Sequence, residues 1–407
     1  MKRVIKIGLG AVGLCLVYVS VIVVYTVRPW VPTLDIPEQV SAAQESRTYL
    51  PEHQELGKQW EKQLPQWREQ AKAPSLSLAV GHKGKMVWAG VVGYKNVEQK
   101  AAARLTTRYR IGSTSKALTA TGLAILYDRQ QVSLTTPIRS YLPQFPDKGA
   151  DITLRQLMSH QAGIRHYQGL WMPPFHEYVL NDKFTSVEQG LGLFKDDPLV
   201  SIPGEAFNYS SYGVNLASAV MEEVSQRPFL NFMQETVFQP LDMNNTYGDG
   251  IEPRSDEASW YQVQEDGRIR TASDVNSSYK WASGGFVSTP TDLVKLGNAW
   301  MSSSLFNADT KQLFFTPQPL TSGEVNPQNY ALGWRSGLAN YDSLDVEVTT
   351  IHHGGTAQGS TTFLIMFPKY DLVVAASMNG LREEFGALSD VCNSVAEMFI
   401  LDSLDSV

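Results

Sequence analysis

The sequence predicts an α+β fold: an antiparallel sheet made from the two ends of the domain, flanked by helices, with a mainly helical insertion between them. Strand-like runs lie toward both ends, at Ser75–Gly93 and at Ser360–Met378, while helical spacings and Pro-rich loops fill the interval. The composition agrees with a packed core. Of 407 residues, 43% are hydrophobic and 18% charged, with 31 Gly and 21 Pro, which excludes collagen-like, disordered and coiled-coil classes. A net charge of −7 gives no attraction for phosphate backbones, so no nucleic-acid partner is expected. The two cysteines, Cys15 and Cys392, exclude a disulfide framework and a Cys-rich metal centre.

Taken in order, the chain opens with Ile7–Val27, a stretch of 21 residues without a charge. At about 1.5 Å per residue it matches a bilayer's hydrocarbon thickness. Lys2, Arg3 and Lys6 precede it, which predicts a cytoplasmic tip and a domain on the outer side of the inner membrane, held by a single pass. A cleavable signal peptide is the rival reading, but the run is long for one and ends in Tyr25-Thr-Val-Arg-Pro29 rather than a small-x-small site. Pro29, Pro32 and Pro37 then read as a stiff spacer, so residues 1–34 form tip, anchor and spacer, and 35–407 the folded domain.

Residues 52–70 carry Leu56, Trp60, Leu64 and Trp67 at helical spacing, with Pro65 as a predicted kink or break. Ser75–Val80 alternates, Gly81–Gly84 turns and Met86–Gly93 is apolar, which predicts a β-hairpin. A helix is predicted from Ser113 to about Arg129 and another over Asp292–Met301. Ser360–Phe367 and Leu372–Met378 read as strands joined at Pro368–Asp371, and a last helix runs from about Phe385 to Leu401. The sheet is therefore expected from about 56–112 and 285–400, and the helical subdomain from about 120–280.

Four clusters could carry chemistry. Ser113 and Lys116 stand in an S-x-x-K arrangement at a helix start, on one face. An amine beside a hydroxyl can take its proton if burial or neighbouring charge lowers the amine's pKa, and the helix N-terminus favours negative charge on Ser113. Tyr209, after the turn at Pro203-Gly204, could relay that proton, and Ser211 could bond in the same site or cap the next helix. Ile351-His-His-Gly-Gly-Thr356 offers a glycine pair that permits close backbone approach, and a backbone N–H there could face that of Ser113 as an oxyanion hole. Adjacent His352 and His353 face opposite sides of a strand, which makes them a poor chelate, and no metal or cofactor is expected. His160 and His166 could serve a Ser–His–Asp triad, but no G-x-S-x-G elbow supplies its nucleophile, and His160 reads as structural.

Together the clusters resemble the serine β-lactamase and penicillin-binding-protein superfamily in its class C-like branch. The order matches: S-x-x-K at Ser113–Lys116, Tyr-x-Asn represented by Tyr209-Ser-Ser211, and Lys-Thr-Gly represented by His353-Gly354-Gly355. Gly163-Ile-Arg-His-Tyr167, Lys195-Asp-Asp-Pro-Leu199 and Ser278-Tyr-Lys-Trp-Ala-Ser-Gly-Gly-Phe286 resemble, closer still, the mitochondrial serine β-lactamase-like proteins and their bacterial relatives. The resemblance spans about residues 56–400 and implies a helix–sheet–helix sandwich with a helical subdomain and a cleft between them. It implies Ser113 as acylated nucleophile, Lys116 as activating amine and Tyr209 as proton shuttle. The N–H groups of Ser113 and Thr356 would form the oxyanion hole, with Ser211, His353, Gly354 and Gly355 at the substrate.

Two departures bear on the substrate. Ser211 stands where the family holds Asn, and His353 where it holds Lys, which removes an amide and a permanent positive charge. A neutral imidazole binds a β-lactam's carboxylate less well, so a peptide or ester is favoured, with peptidase activity first. A cell-wall D,D-peptidase or weak β-lactamase is the alternative, and a catalytically silent binding protein on the same fold is the reading from another class. The cleft wall is expected to include Gly169–Phe175, with Trp171 and Phe175 either lining the cleft or covering the core.

Overall fold

The computed structural model describes residues 18–19, 32–38, 43–170, 176–250, 255–302, 305–341, 346–382 and 386–405. The expected anchor at 7–27 lies, but for two residues, outside the described residues, as do Trp171 and Phe175. Among the described residues no helix is long and apolar enough to cross a membrane.

The main strands are β1 (Gln44–Thr48), β2 (Ser75–His82), β3 (Lys85–Asn96), β4 (Arg335–Tyr341), β5 (Val346–Ala357), β6 (Ser360–Phe367) and β7 (Leu372–Met378). They form one antiparallel sheet in the order β1-β3-β2-β7-β6-β5-β4, so chain beginning and chain end meet at the β2–β7 pair. The hairpin β2–β3 turns on Lys83 and Gly84, both at positive φ, the backbone a two-residue turn with the sheet's twist requires. The main helices are α1 (Gln54–Gln70), α2 (Ser115–Asp128), α3 (Ser211–Ser225), α4 (Pro290–Ser302) and α5 (Gly386–Asp405).

The period-two alternation of the strands gives the sheet two dry faces. Phe363, Ile365 and Phe367 of β6 join Trp60, Leu64, Val395 and Phe399 under α1 and α5. Leu364 and Met366 face the other way, toward Leu293, Leu296 and Trp300 of α4. Pro65 does not end α1, which runs through it. Buried Leu64 and Trp67 pin both sides of the proline to the sheet, and this packing outweighs the one lost backbone hydrogen bond.

Three strands carry no strong sequence signal. β1 is polar, and β4 reads Arg-Ser-Gly-Leu-Ala-Asn-Tyr; both are edge strands, where one side of the backbone needs no partner. β5 ends in His-His-Gly-Gly-Thr-Ala and is held extended by seven paired positions along β6. The expected spacer also joins the fold: Leu34 exchanges two hydrogen bonds of 2.8 Å with Ile269 and packs beside Tyr261.

Helix α2 is buried from Ser115 through Leu126, between the sheet and the helices of the insertion. That explains its apolar character all round. Its polar side chains are satisfied internally, Thr119 Oγ1 donating to Ala282 O at 2.7 Å and Thr121 Oγ1 to Ala117 O at 2.8 Å.

Candidate active site

The reactive pair sits where the chain enters α2. Gly112–Thr114 forms one turn of 3-10 helix, and Gly112 has φ +49°, a left-handed backbone that suits glycine. The turn presses against β5 backbone to backbone. A Cβ at Gly112 would lie 2.2 Å from Thr356 O and 2.8 Å from Thr356 N, and one at Gly355 would lie 1.9 Å from Ile111 O and 2.8 Å from Ser113 N. Only glycine fits at either place. Thr114 Oγ1 donates to His353 O at 3.3 Å and secures the join. The approach sets the backbone of Ser113 beside that of Thr356, the two expected to donate to an oxyanion.

Lys116 is fully buried, with Nζ 3.1 Å from Ser113 Oγ, 3.1 Å from Ser211 Oγ and 2.7 Å from Ser283 O. Burial, and secondarily the charge of Arg335, hold its pKa well below the usual lysine value. A neutral amine there donates to Ser283 O and Ser211 Oγ and turns its lone pair to the Ser113 hydroxyl. Ser211 thus holds the lysine while also facing the cleft. Tyr209 stands just before Ser210, the N-cap of α3, whose Oγ accepts from Gly213 N at 2.9 Å. Its hydroxyl faces Ser113, and burial pushes its pKa up to about 12, so it is a phenol and not a phenolate at neutral pH. The Lys116 Nζ lies 4.9 Å from the centre of its ring.

His353 is in the site but engaged. Its Nδ1 donates to Gly354 O at 2.7 Å, which leaves Nε2 to accept from the Tyr330 hydroxyl at 2.8 Å. Burial, then Lys116 and Arg335, depress its pKa strongly, so the ring is neutral. His160, with φ +60°, accepts from Ser210 N at 3.1 Å and packs its ring 4.2 Å from Tyr209 and 4.4 Å from Tyr330. It braces the tyrosines and does not reach Ser113 as a base. His166 accepts from Ser211 N at 3.2 Å through Nδ1, which leaves Nε2–H as a donor at the cleft; burial pushes its pKa down to about 4.

Ser113, Tyr209, Ser211, His166 and His353 line one cavity of about 660 Å³ that also takes in Arg335, Lys280, Tyr178 and Gly354, with Lys116 and His160 buried behind its wall. Among the described residues no cluster of acidic, His and Cys side chains could hold a metal ion. Arg335 and Lys280 were not singled out as site residues in the sequence. Arg335 is the first residue of β4, paired with His352 across the sheet, and its guanidinium lies 5.2 Å from the ring of Tyr330 and 5.9 Å from that of Tyr209. It restores beside His353 the positive charge that the third motif lacks. No spacing in the sequence marks it; Lys280 at least lies inside the string Ser278–Phe286.

Residues 58–391 match the Beta-lactamase family. This chain belongs to that family. Its β-lactamase-like relatives include the human mitochondrial serine beta-lactamase-like protein LACTB, 29% identical over 408 residues that cover 80% of this chain and 74% of the relative. Among solved structures, the D-amino acid amidase from Ochrobactrum anthropi SV3 superposes with a TM-score of 0.68 at 22% identity, over 84% of this chain and 97% of the amidase. A penicillin binding protein from Bacillus halodurans superposes with a TM-score of 0.66 at 21% identity, over 81% and 98% of the two chains. At these identities the two structures establish a common β-lactamase-like fold.

Proposed function

We propose that this chain is a serine hydrolase that works through an acyl-enzyme on a peptide or ester, peptides first. The observation that carries the reading is the buried Lys116 amine 3.1 Å from Ser113 Oγ, its pKa lowered where it can act as a base. Ser113 Oγ attacks the substrate carbonyl and its proton passes to Lys116. The carbonyl oxygen takes up the negative charge between the N–H groups of Ser113 and Thr356. The bond to the leaving group breaks as Tyr209 hands it a proton and regains one from Lys116, which took it from Ser113. Water then attacks the ester on Ser113, losing a proton to the same pair, and Ser113 leaves with one. Ser211 holds the lysine, Gly354 lets β5 stand close to the substrate, and Gly355 lets it stand close to the nucleophile turn. His353 acts through Tyr330 and the shape of the wall, and Arg335 offers the charge.

The test is labelling with a fluorophosphonate followed by mass mapping. Adduct on Ser113, absent in Ser113→Ala, is expected; an unlabelled wild-type protein would mean a silent binding protein instead. The second reading, a D,D-peptidase or weak β-lactamase, draws on Arg335, which gives a β-lactam carboxylate the partner that neutral His353 does not. Fluorescent penicillin trapped on Ser113 would favour it. We also propose that residues 7–27 anchor the domain to a membrane with the cleft on the outer side. Full-length protein should then sediment with membranes and the chain lacking residues 1–31 should not.

A further inference from the structure

We propose that Lys280 and Tyr178 form a subsite for an anionic group on the acyl half of the substrate, so that the enzyme prefers acyl groups bearing a carboxylate. This rests on the acyl-enzyme reading. Lys280 is 3% exposed and stands in the wall of the cavity that holds Ser113. Its Nζ donates to Tyr178 O at 3.2 Å and lies 4.3 Å from the ring centre of Tyr178, 5.0 Å from that of Tyr279 and 5.5 Å from that of Tyr167. Ring faces attract a cation but do not supply the strong acceptors that the remaining ammonium protons require. The Tyr178 hydroxyl, in the same wall, faces Thr356 and is buried without a well-formed hydrogen bond. A carboxylate has lone pairs for both groups.

The surrounding charges leave this task open. Asp249, the acidic neighbour that acts on Lys280, is already bound by Arg110 at 2.9 Å, both side chains being under a tenth exposed. Arg110 repels the ammonium, and His166 is close enough to feel it in turn. The position relative to Ser113 assigns the half of the substrate. Tyr178 adjoins Thr356, whose N–H faces the carbonyl oxygen, and the Lys280 stem meets Gly284 beside Gly112. Arg335 instead stands 5.9 Å from the ring centre of Tyr209, which protonates the leaving group. The two cations thus serve different ends of the cleft.

The experiment compares 4-nitroanilides of N-acetylglutamate and N-acetylglutamine, in both enantiomers, which share size and leaving group and differ by one charge. Wild-type kcat/KM should favour glutamate by about tenfold to a hundredfold at pH 6, the range for a charge-assisted contact. The preference should shrink above pH 7, because burial lowers the Lys280 pKa to about 7 and the amine loses its charge there. Lys280→Met should bring the ratio near one while Ser113 still labels with fluorophosphonate, and Lys280→Arg should keep a preference that no longer fades above pH 7. Equal rates for the two anilides in the wild type, or a ratio unchanged in a labelling-competent Lys280→Met, would overturn the subsite. The wild-type ratio and its pH dependence decide the matter even if Lys280→Met does not fold. Loss of labelling in the wild type would instead remove the acyl-enzyme reading beneath it.

Discussion

Gly355→Ala isolates the join between β5 and the nucleophile turn. The added methyl would sit 1.9 Å from Ile111 O, 2.6 Å from Thr114 N and 2.8 Å from Ser113 N, all backbone atoms that cannot rotate away. Reaching ordinary van der Waals separation requires β5 to retreat by roughly 1.5 Å. Thr356 is the next residue, so its N–H retreats too, out of the narrow range in which an oxyanion donor works. Loss of one such donor costs about 10²–10³ in kcat, and a displacement of about 1 Å alone can cost a hundredfold. Overpacking should also lower stability by about 1–3 kcal/mol. Steady-state hydrolysis of a chromogenic ester, with a thermal melt on the same sample, measures both. Expected are a fall of two to three decades in kcat, little change in KM and a modestly lower Tm. Turnover within about threefold of wild type, with an unchanged Tm, would refute the argument that β5 and the turn form one rigid hole.

Other outcomes follow from the same geometry. Ser113→Ala should abolish labelling and turnover, and Lys116→Ala should cost about 10²–10⁴; combined, the two should cost no more than Ser113→Ala, since the groups act as one unit. Arg335→Met removes a charge that lowers the Lys116 pKa, so that pKa rises and the acid limb of the pH–rate profile should move to higher pH; a limb that stays in place would deny Arg335 this influence. Arg165 pins three segments through Glu177 at 2.7 and 2.9 Å, Asp197 at 2.5 Å and Leu193 O at 2.8 Å. Arg165→Ala strands Glu177 inside the protein and should cost about 3–5 kcal/mol by denaturant titration.

The sequence determined the parts whose signal is local. The apolar runs Ser360–Phe367 and Leu372–Met378, the helical spacing of Leu56, Trp60, Leu64 and Trp67, and the turn expected at Gly81–Gly84 each report a neighbourhood of a few residues, and the structure forms them there, with the turn narrowed to Lys83-Gly84. Ser113 and Lys116 lie three apart and Tyr209 and Ser211 two apart, so each pair was legible as a pair. The tertiary structure decided what each pair meets. Lys116 touches Ser211 and Ser283 across 95 and 167 positions of chain, contacts that no local pattern announces. His353 was legible as a departure from a motif, yet its two engaged nitrogens depend on Tyr330, and the replacement charge depends on the β4–β5 register that pairs Arg335 with His352. Edge strand β4 is held by pairing rather than propensity, and Lys280 is buried beside Tyr167, Tyr178 and Tyr279, two of them distant in the chain. Periodicity carries information only along the chain. Strand register and burial are set by contacts across it, and they fix which charges reach the cleft.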